Sequence, residues 1–386
     1  MKSKKKIALA TAFGLLAGFH FFTGCSKNVG APTTPAQKSG TAQTIDASNL
    51  ELVSETEEKE RDGFQTKVRT TALNGGFFEL ESQARDFRSN KTRFANGDWK
   101  LRKFYVAFGD YEKIGDETSC SNLIFKLEAW ASQNPDSIVP RLALVEAYHG
   151  YAWLARSSRS ASEVTERGEK LMEQRMEKGF VWLREAQKLQ AKEKDPAFYA
   201  VTLHSFLGAN VEQKAYENVF EAGIHNAPDY NALYEYKAYY LFPRWYGEPG
   251  EWEKYARKIS GDGGIPHANE LFARIALFLR DIGYFYQEFS GDDQSWEELK
   301  SSFHAVEANH PDSLEIKSIL CLMSAKMCDY KEARTQAKLL NGKVDLSVWT
   351  SRTNFQEAIS WLNQDDAALE ECRRQFKAQQ KQKRSN

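Results

Sequence analysis

The chain has 386 residues, with 52 Lys and Arg against 53 Asp and Glu and a formal net charge of −1. That length suits one large helical array or two domains. The balance excludes a general nucleic-acid binder, which needs a basic surface, so no nucleic-acid partner is expected.

Lys2, Lys4, Lys5 and Lys6 form a positive start, and Ile7 to Phe22 is an apolar run too short and wrongly flanked for a transmembrane helix. The run ends in Phe22-Thr23-Gly24-Cys25, which resembles the bacterial lipobox. The resemblance implies a lipoprotein signal peptide over 1–24, with Cys25 lipidated as the new N-terminus. It places the protein in the bacterial cell envelope, held to a membrane by Cys25. Ser26 rather than Asp follows the Cys, which by the same resemblance points to the outer membrane, facing the periplasm, in a source with two membranes. Residues 25–56 are rich in Ser, Thr and Ala and carry Pro32 and Pro35, a composition that buries no core and serves as a flexible tether. Removal of 1–24 takes away four Lys and no acid, leaving 48 basic against 53 acidic residues, a net of −5.

Beyond the tether, helical periodicity dominates and no strand alternation is seen. Phe77, Leu80, Ala84 and Phe87 make one apolar stripe, and Leu123, Leu127 and Trp130 another. The break Asn134-Pro135-Asp136-Ser137 precedes Leu142, Leu144, Val145, Tyr148 and Trp153. A polar loop, Arg156 to Ser160, leads into a long helix ending near Gln190, with Ser160 and Glu163 at capping-box spacing. Asp195-Pro196-Ala197, Pro228-Asp229-Tyr230 and Pro311-Asp312-Ser313 each open a new segment. Pro in a first turn leaves no N–H unpaired, and Asp suits the positive helix end. Pro196 to Pro228 spans 32 residues, close to the tetratricopeptide period of about 34. Leu320 with Asp329-Tyr330-Lys331-Glu332-Ala333 resembles the turn between the two helices of a tetratricopeptide unit. The expected fold is all-α: a tetratricopeptide-like array of irregular helical hairpins, an α-α superhelix, over 57–371, with a basic, solvated tail over 372–386. An irregular helical bundle is the alternative.

Three stretches carry a family resemblance: Gly97-Asp98-Trp99-Lys100-Leu101 with Phe104-Tyr105, Arg141-Leu142-Ala143-Leu144 through Trp153-Leu154-Ala155-Arg156, and Leu241 to Trp252 with its Pro243-Arg244-Trp245-Tyr246-Gly247 core. Together they resemble an uncharacterised bacterial family, the 4034-type domain of unknown function, across about residues 75 to 290. The resemblance implies a helical repeat-like fold and no chemistry. Ser157 departs from the Gly expected after the Arg.

Between Tyr230 and Tyr255, ten of 26 residues are aromatic. A helix apolar all round belongs at the centre of its array. The functional alternative is a ligand- or partner-binding surface using Tyr236, Tyr240, Arg244, Trp245 and Trp252, because aromatic faces suit sugars or peptide side chains. Trp153 and Arg156 join these candidates, with Arg156 and Arg159 flanking a Ser-rich loop where an anion or a helix end would sit. Cys120, Cys321, Cys328 and Cys372 match no zinc spacing, and buried free thiols are expected, with a disulfide open in an oxidising compartment. No His-Glu-x-x-His, Gly-x-Ser-x-Gly or phosphate-loop pattern occurs, so no catalytic residue, metal or cofactor is expected. These readings converge on a membrane-anchored, non-catalytic scaffold for a protein or peptide partner in the cell envelope. The alternatives are a binding protein for glycan or cell-wall fragments using the aromatic 230–255 segment, and an envelope hydrolase whose site is assembled in space.

Overall fold

A computed structural model describes residues 45–46, 50–156, 164–209 and 211–385. The fold is all-α: nineteen α-helices among the described residues, 74% helix in all. They fall into two compact units, one of residues 61–306 and one of residues up to Glu60 and from Glu307 onward. No described helix is long and apolar enough to cross a membrane.

The first unit runs through α1 (Glu57–Leu73, from Arg61 on), α2 (Phe77–Asn90), α3 (Lys100–Gly109), α4 (Tyr111–Ile114), α5 (Glu117–Gln133), α6 (Val139–Arg156) and α7 (Glu166–Glu193). It continues with α8 (Ala197–Phe206), α9 (Gln213–Asn226), α10 (Ala232–Tyr240), α11 (Glu251–Ser260), α12 (Leu271–Asp281), α13 (Phe285–Glu288) and most of α14 (Asp293–Asn309). The stripes read from the sequence face inward: Phe77, Leu80, Ala84 and Phe87 of α2 are buried, as are Leu123, Leu127 and Trp130 of α5. Trp130 stacks on Phe77 at 5.7 Å and 2°. The long helix, α7, starts later than Ser160 and Glu163 suggest. Its cap is Thr165, whose hydroxyl accepts from the Gly168 amide at 3.1 Å, while Ser160 and Glu163 lie outside the described residues. Asp195 opens α8 as expected, its carboxylate accepting from the Ala197 amide at 2.9 Å.

Helix α6 is the centre of this unit, buried without interruption from Val139 to Gly150. It meets α3 through glycines. A Cβ at Gly150 would overlap the backbone carbonyl of Gly109, and a Cβ at Gly109 would lie 2.8 Å from a carboxylate oxygen of Glu146. Buried charges are matched around it. Asp98 lies 3.3 Å from Lys103 and 3.9 Å from Arg61, Arg102 pairs with Glu235 at 2.5 Å, and Arg274 pairs with Glu270 at 2.8 Å. Removing one partner of such a pair strands a buried charge, at a cost of about 3–5 kcal/mol.

The second unit holds α15 (Leu314–Lys326), α16 (Tyr330–Leu340), α17 (Leu346–Trp349), α18 (Arg352–Leu362) and α19 (Asp366–Ser385). Helices α15 and α16 form the hairpin read from Asp329-Tyr330-Lys331-Glu332-Ala333. The chain reverses at Cys328, in the left-handed region at φ 54°, and Asp329 caps α16 through the Glu332 amide at 3.3 Å. Ala333 is fully buried, so α16 can approach α15 closely. Ser313 caps α15, accepting from the Ile316 amide at 3.1 Å. Two strands, β1 (Glu51–Leu52) and β2 (Lys343–Val344), pair in parallel and are too short to show alternation in sequence. Residues 372–385 continue α19, a segment with no Pro or Gly to stop the helix. Cys120, Cys321 and Cys328 are free thiols.

Two outcomes follow from this packing. Gly150→Ala should cost about 3 kcal/mol by overpacking and lower the melting temperature by about 5–10 °C. Gly63→Ala, where a Cβ meets nothing within 4 Å, should raise it slightly. Thermal denaturation of both variants checks this, and equal melting temperatures would refute the close approach. The second outcome concerns Asp98. Burial alone would raise its pKa, but Lys103, then Arg61, Arg102 and Arg274, hold the carboxyl well below the usual range. Its contribution to stability is therefore complete above its unfolded pKa, about 4, and lost as pH falls below that. Urea midpoints at pH 7 and pH 3 should differ more for the wild type than for Asp98→Asn.

Candidate functional site

One face of α6 carries Glu146, His149, Trp153 and Arg156, at i, i+3, i+7 and i+10, a spacing that keeps them on one stripe. Helix α8 brings His204 to the first two. The ring of His204 places Nδ1 3.1 Å and 3.3 Å from the two carboxylate oxygens of Glu146. The rings of His149 and His204 lie 4.2 Å apart, tilted by 58°. Tyr236 of α10 stacks on the other side of His204, at 4.8 Å and 13°.

His149 is held at Nε2. Trp153 donates its indole N–H to Nε2 at 3.0 Å, so that nitrogen carries a lone pair. The proton then sits on Nδ1. Burial, and next the neighbouring His204, push the His149 pKa well below its ordinary value, against the backbone bond at Leu207. His149 is therefore neutral at neutral pH. Glu146, His149 and His204 each offer a ligand atom, all within 4.8 Å of one another, the one such group of three among the described residues.

The second half of the stripe meets the turn after α10. Trp153 packs edge-on against Trp245 at 6.2 Å and 87°, and Trp245 packs edge-on against Tyr239 at 5.7 Å. The Arg244 guanidinium lies 4.6 Å from the centre of Tyr284, 5.2 Å from Trp245 and 6.0 Å from Tyr239. Its Nε is buried without a hydrogen-bond partner, and it makes no salt bridge among the described residues. Arg156 lies 5.2 Å over Trp153. Burial lowers the Arg156 pKa, and the charge of Arg244 lowers it further, so two cations share this half-buried corner. Cation–π contact contributes up to about 2 kcal/mol per desolvated pair and leaves the guanidinium N–H groups available to an anion.

Of the seven residues singled out in the sequence, Trp153, Arg156, Arg244 and Trp245 come together here, and Tyr236 joins them through His204. Tyr240 and Trp252 do not. Tyr240 is buried in a stack with Tyr216 at 3.8 Å and Tyr246 at 4.6 Å. Trp252 is 0% exposed, packed among Phe242, Phe272 and Phe285. Arg159 lies outside the described residues. The sequence reading missed Glu146, His204, Tyr239 and Tyr284. Glu146-x-x-His149 was a signal, since that spacing puts two ligand types on one helical face. Nothing local marks His204, which reaches them only through the packing of α8 on α6.

No family model matches the chain, and neither a curated protein nor a solved structure does.

Proposed function

We propose that this protein is a membrane-anchored, non-catalytic helical lipoprotein of the bacterial cell envelope that acts as a protein-interaction scaffold. It grips its protein or peptide partner by a carboxylate-bearing segment. The anchor rests on the lipobox-like Phe22-Thr23-Gly24-Cys25, which lies outside the described residues. One observation carries the binding surface. Arg244 sits among three aromatic rings with no salt bridge among the described residues, Glu288 being the carboxylate its charge reaches, beside a second arginine. A guanidinium held in place by ring faces loses little freedom when a carboxylate takes its N–H fork. Trp and Arg in such settings dominate the energetics of interfaces. The resemblance to the 4034-type family lends this reading no chemistry. A glycan fragment bearing a carboxylate would use the same groups.

The test compares the wild type with Arg244→Ala, each purified from its own membranes after brief crosslinking. The wild type should bring a discrete partner set. Arg244→Ala, with its circular dichroism unchanged, should retain at most about a tenth of it, the loss expected for a hot-spot residue. Cys25→Ala should leave the membrane fraction. A partner set undiminished in both Arg244→Ala and Trp245→Ala would remove the surface from consideration.

A second reading, the envelope hydrolase with a spatially assembled site, draws on the Glu146, His149 and His204 cluster. Hydrolysis of an envelope polymer by the purified chain, abolished in Glu146→Gln, would replace the first reading with this one.

A further inference from the structure

We infer that Glu146, His149 and His204 form a binding site for one divalent first-row transition-metal ion, of which zinc is the type. The inference does not rest on the partner-binding reading.

The donor set comes first. Two imidazoles and one carboxylate are a ligand set of zinc sites that leave a fourth position open. Imidazole nitrogen also suits copper, iron and nickel, whereas magnesium and calcium prefer oxygen throughout. Here the donors lie on two packed helices, Glu146 and His149 on α6 and His204 on α8, so their backbones are fixed before any ion arrives.

The orientation of His149 is the second point. A ligating histidine anchors its far nitrogen, usually to a backbone carbonyl or a carboxylate, and this sets the tautomer that presents a lone pair to the metal. In His149 the Trp153 N–H marks Nε2 as the nitrogen with the lone pair, which places the proton on Nδ1. The Trp153 N–H is the one group competing for that lone pair, and it must tilt away as an ion enters.

The environment of Glu146 is the third. Its side chain is 3% exposed, and its hydrogen-bond and ion-pair partner is His204. No Lys or Arg forms a salt bridge to it among the described residues. A buried carboxylate needs nearby positive charge, and a divalent ion would supply it. Gly109 clears the space on the other side, because a Cβ there would come within 2.8 Å of the same carboxylate. Binding at about 2.0–2.2 Å from each donor requires the three atoms to close in from their present spread. His204 has the freedom to make that move, being the most exposed of the three at 28%.

The experiment uses the full chain, stripped with a chelator and titrated with Zn²⁺ by calorimetry, then with Co²⁺ by visible absorption. One equivalent of Zn²⁺ should bind at micromolar concentration, and Co²⁺ should give ligand-field bands of low coordination number. His204→Gln and Glu146→Gln should each weaken binding by at least about tenfold. Trp153→Phe, which removes the competing N–H, should strengthen it about fivefold, the equivalent of one ordinary hydrogen bond. That increase distinguishes this site from an exposed histidine such as His267. His204→Gln is the deciding variant, since the half-exposed ring can be replaced with least risk to the fold, and its far-UV circular dichroism is compared with the wild type. Absence of a stoichiometric site in the wild type would overturn the inference. So would a stoichiometric site unchanged in both His204→Gln and Glu146→Gln, and an unchanged affinity in Trp153→Phe would remove His149 Nε2 from the ligand set.

Discussion

Burial of α6 on all sides governs the 61–306 unit. A helix in that position has no water to satisfy its polar side chains, so each must find a partner inside the protein. Arg141 finds the carbonyls of Asn134 and Ser137, at 2.8 and 2.6 Å. Tyr148 finds Glu128 at 3.0 Å. Glu146 and His149 find His204 and Trp153. The last two pairings draw α8 and the C-terminal turn of α6 into one polar cluster inside an aromatic surround. The glycines at 109 and 150 make this possible, because only without Cβ atoms can α3 come close enough to enclose Glu146.

The same unit treats its cations in two ways. Arg274 is deeply buried and Arg102 mostly so, and each is matched by a carboxylate, Glu270 and Glu235. Burying a charge costs several kcal/mol, and a close opposite charge offsets most of it. Arg244 is matched by ring faces instead. Ring faces attract a cation without using up its N–H groups, so this arginine keeps its hydrogen-bonding capacity. The contrast separates arginines paired with carboxylates from one held by ring faces. It also explains how a segment so dense in aromatic residues divides its labour. Tyr234, Tyr240 and Trp252 fill the core, while Tyr239 and Trp245 frame the arginine.

Helices, breaks and hairpins were legible in the sequence because they are set by near neighbours. The 3.6-residue stripes of α2 and α5, the Asp and Pro that open α8, the Ser313 cap of α15, and the Asp329 to Ala333 turn need nothing beyond a few residues on either side. Errors arose where local rules compete. Several Ser, Thr and Glu residues could have capped α7, and Thr165 has the geometry. The all-α class was therefore decided by the chain itself. Aromatic density also drew attention to the 230–255 segment, but density says only that rings are abundant. It cannot say which of them face inward, and so it placed Tyr240 and Trp252 beside Trp245.

What the sequence alone determined is a helical chain behind a lipobox-like start, with Trp153, Arg156, Arg244 and Trp245 worth watching. Tertiary structure alone decided that residues from 146, 204 and 244 share one neighbourhood. Their separations along the chain are 58 and 40 residues, and helix packing, rather than periodicity, brings them together. A side chain's partner across two helices depends on how whole faces fit, on the glycines that let α3 and α6 touch, and on which buried polar group is nearest. None of these leaves a mark in any short stretch of sequence.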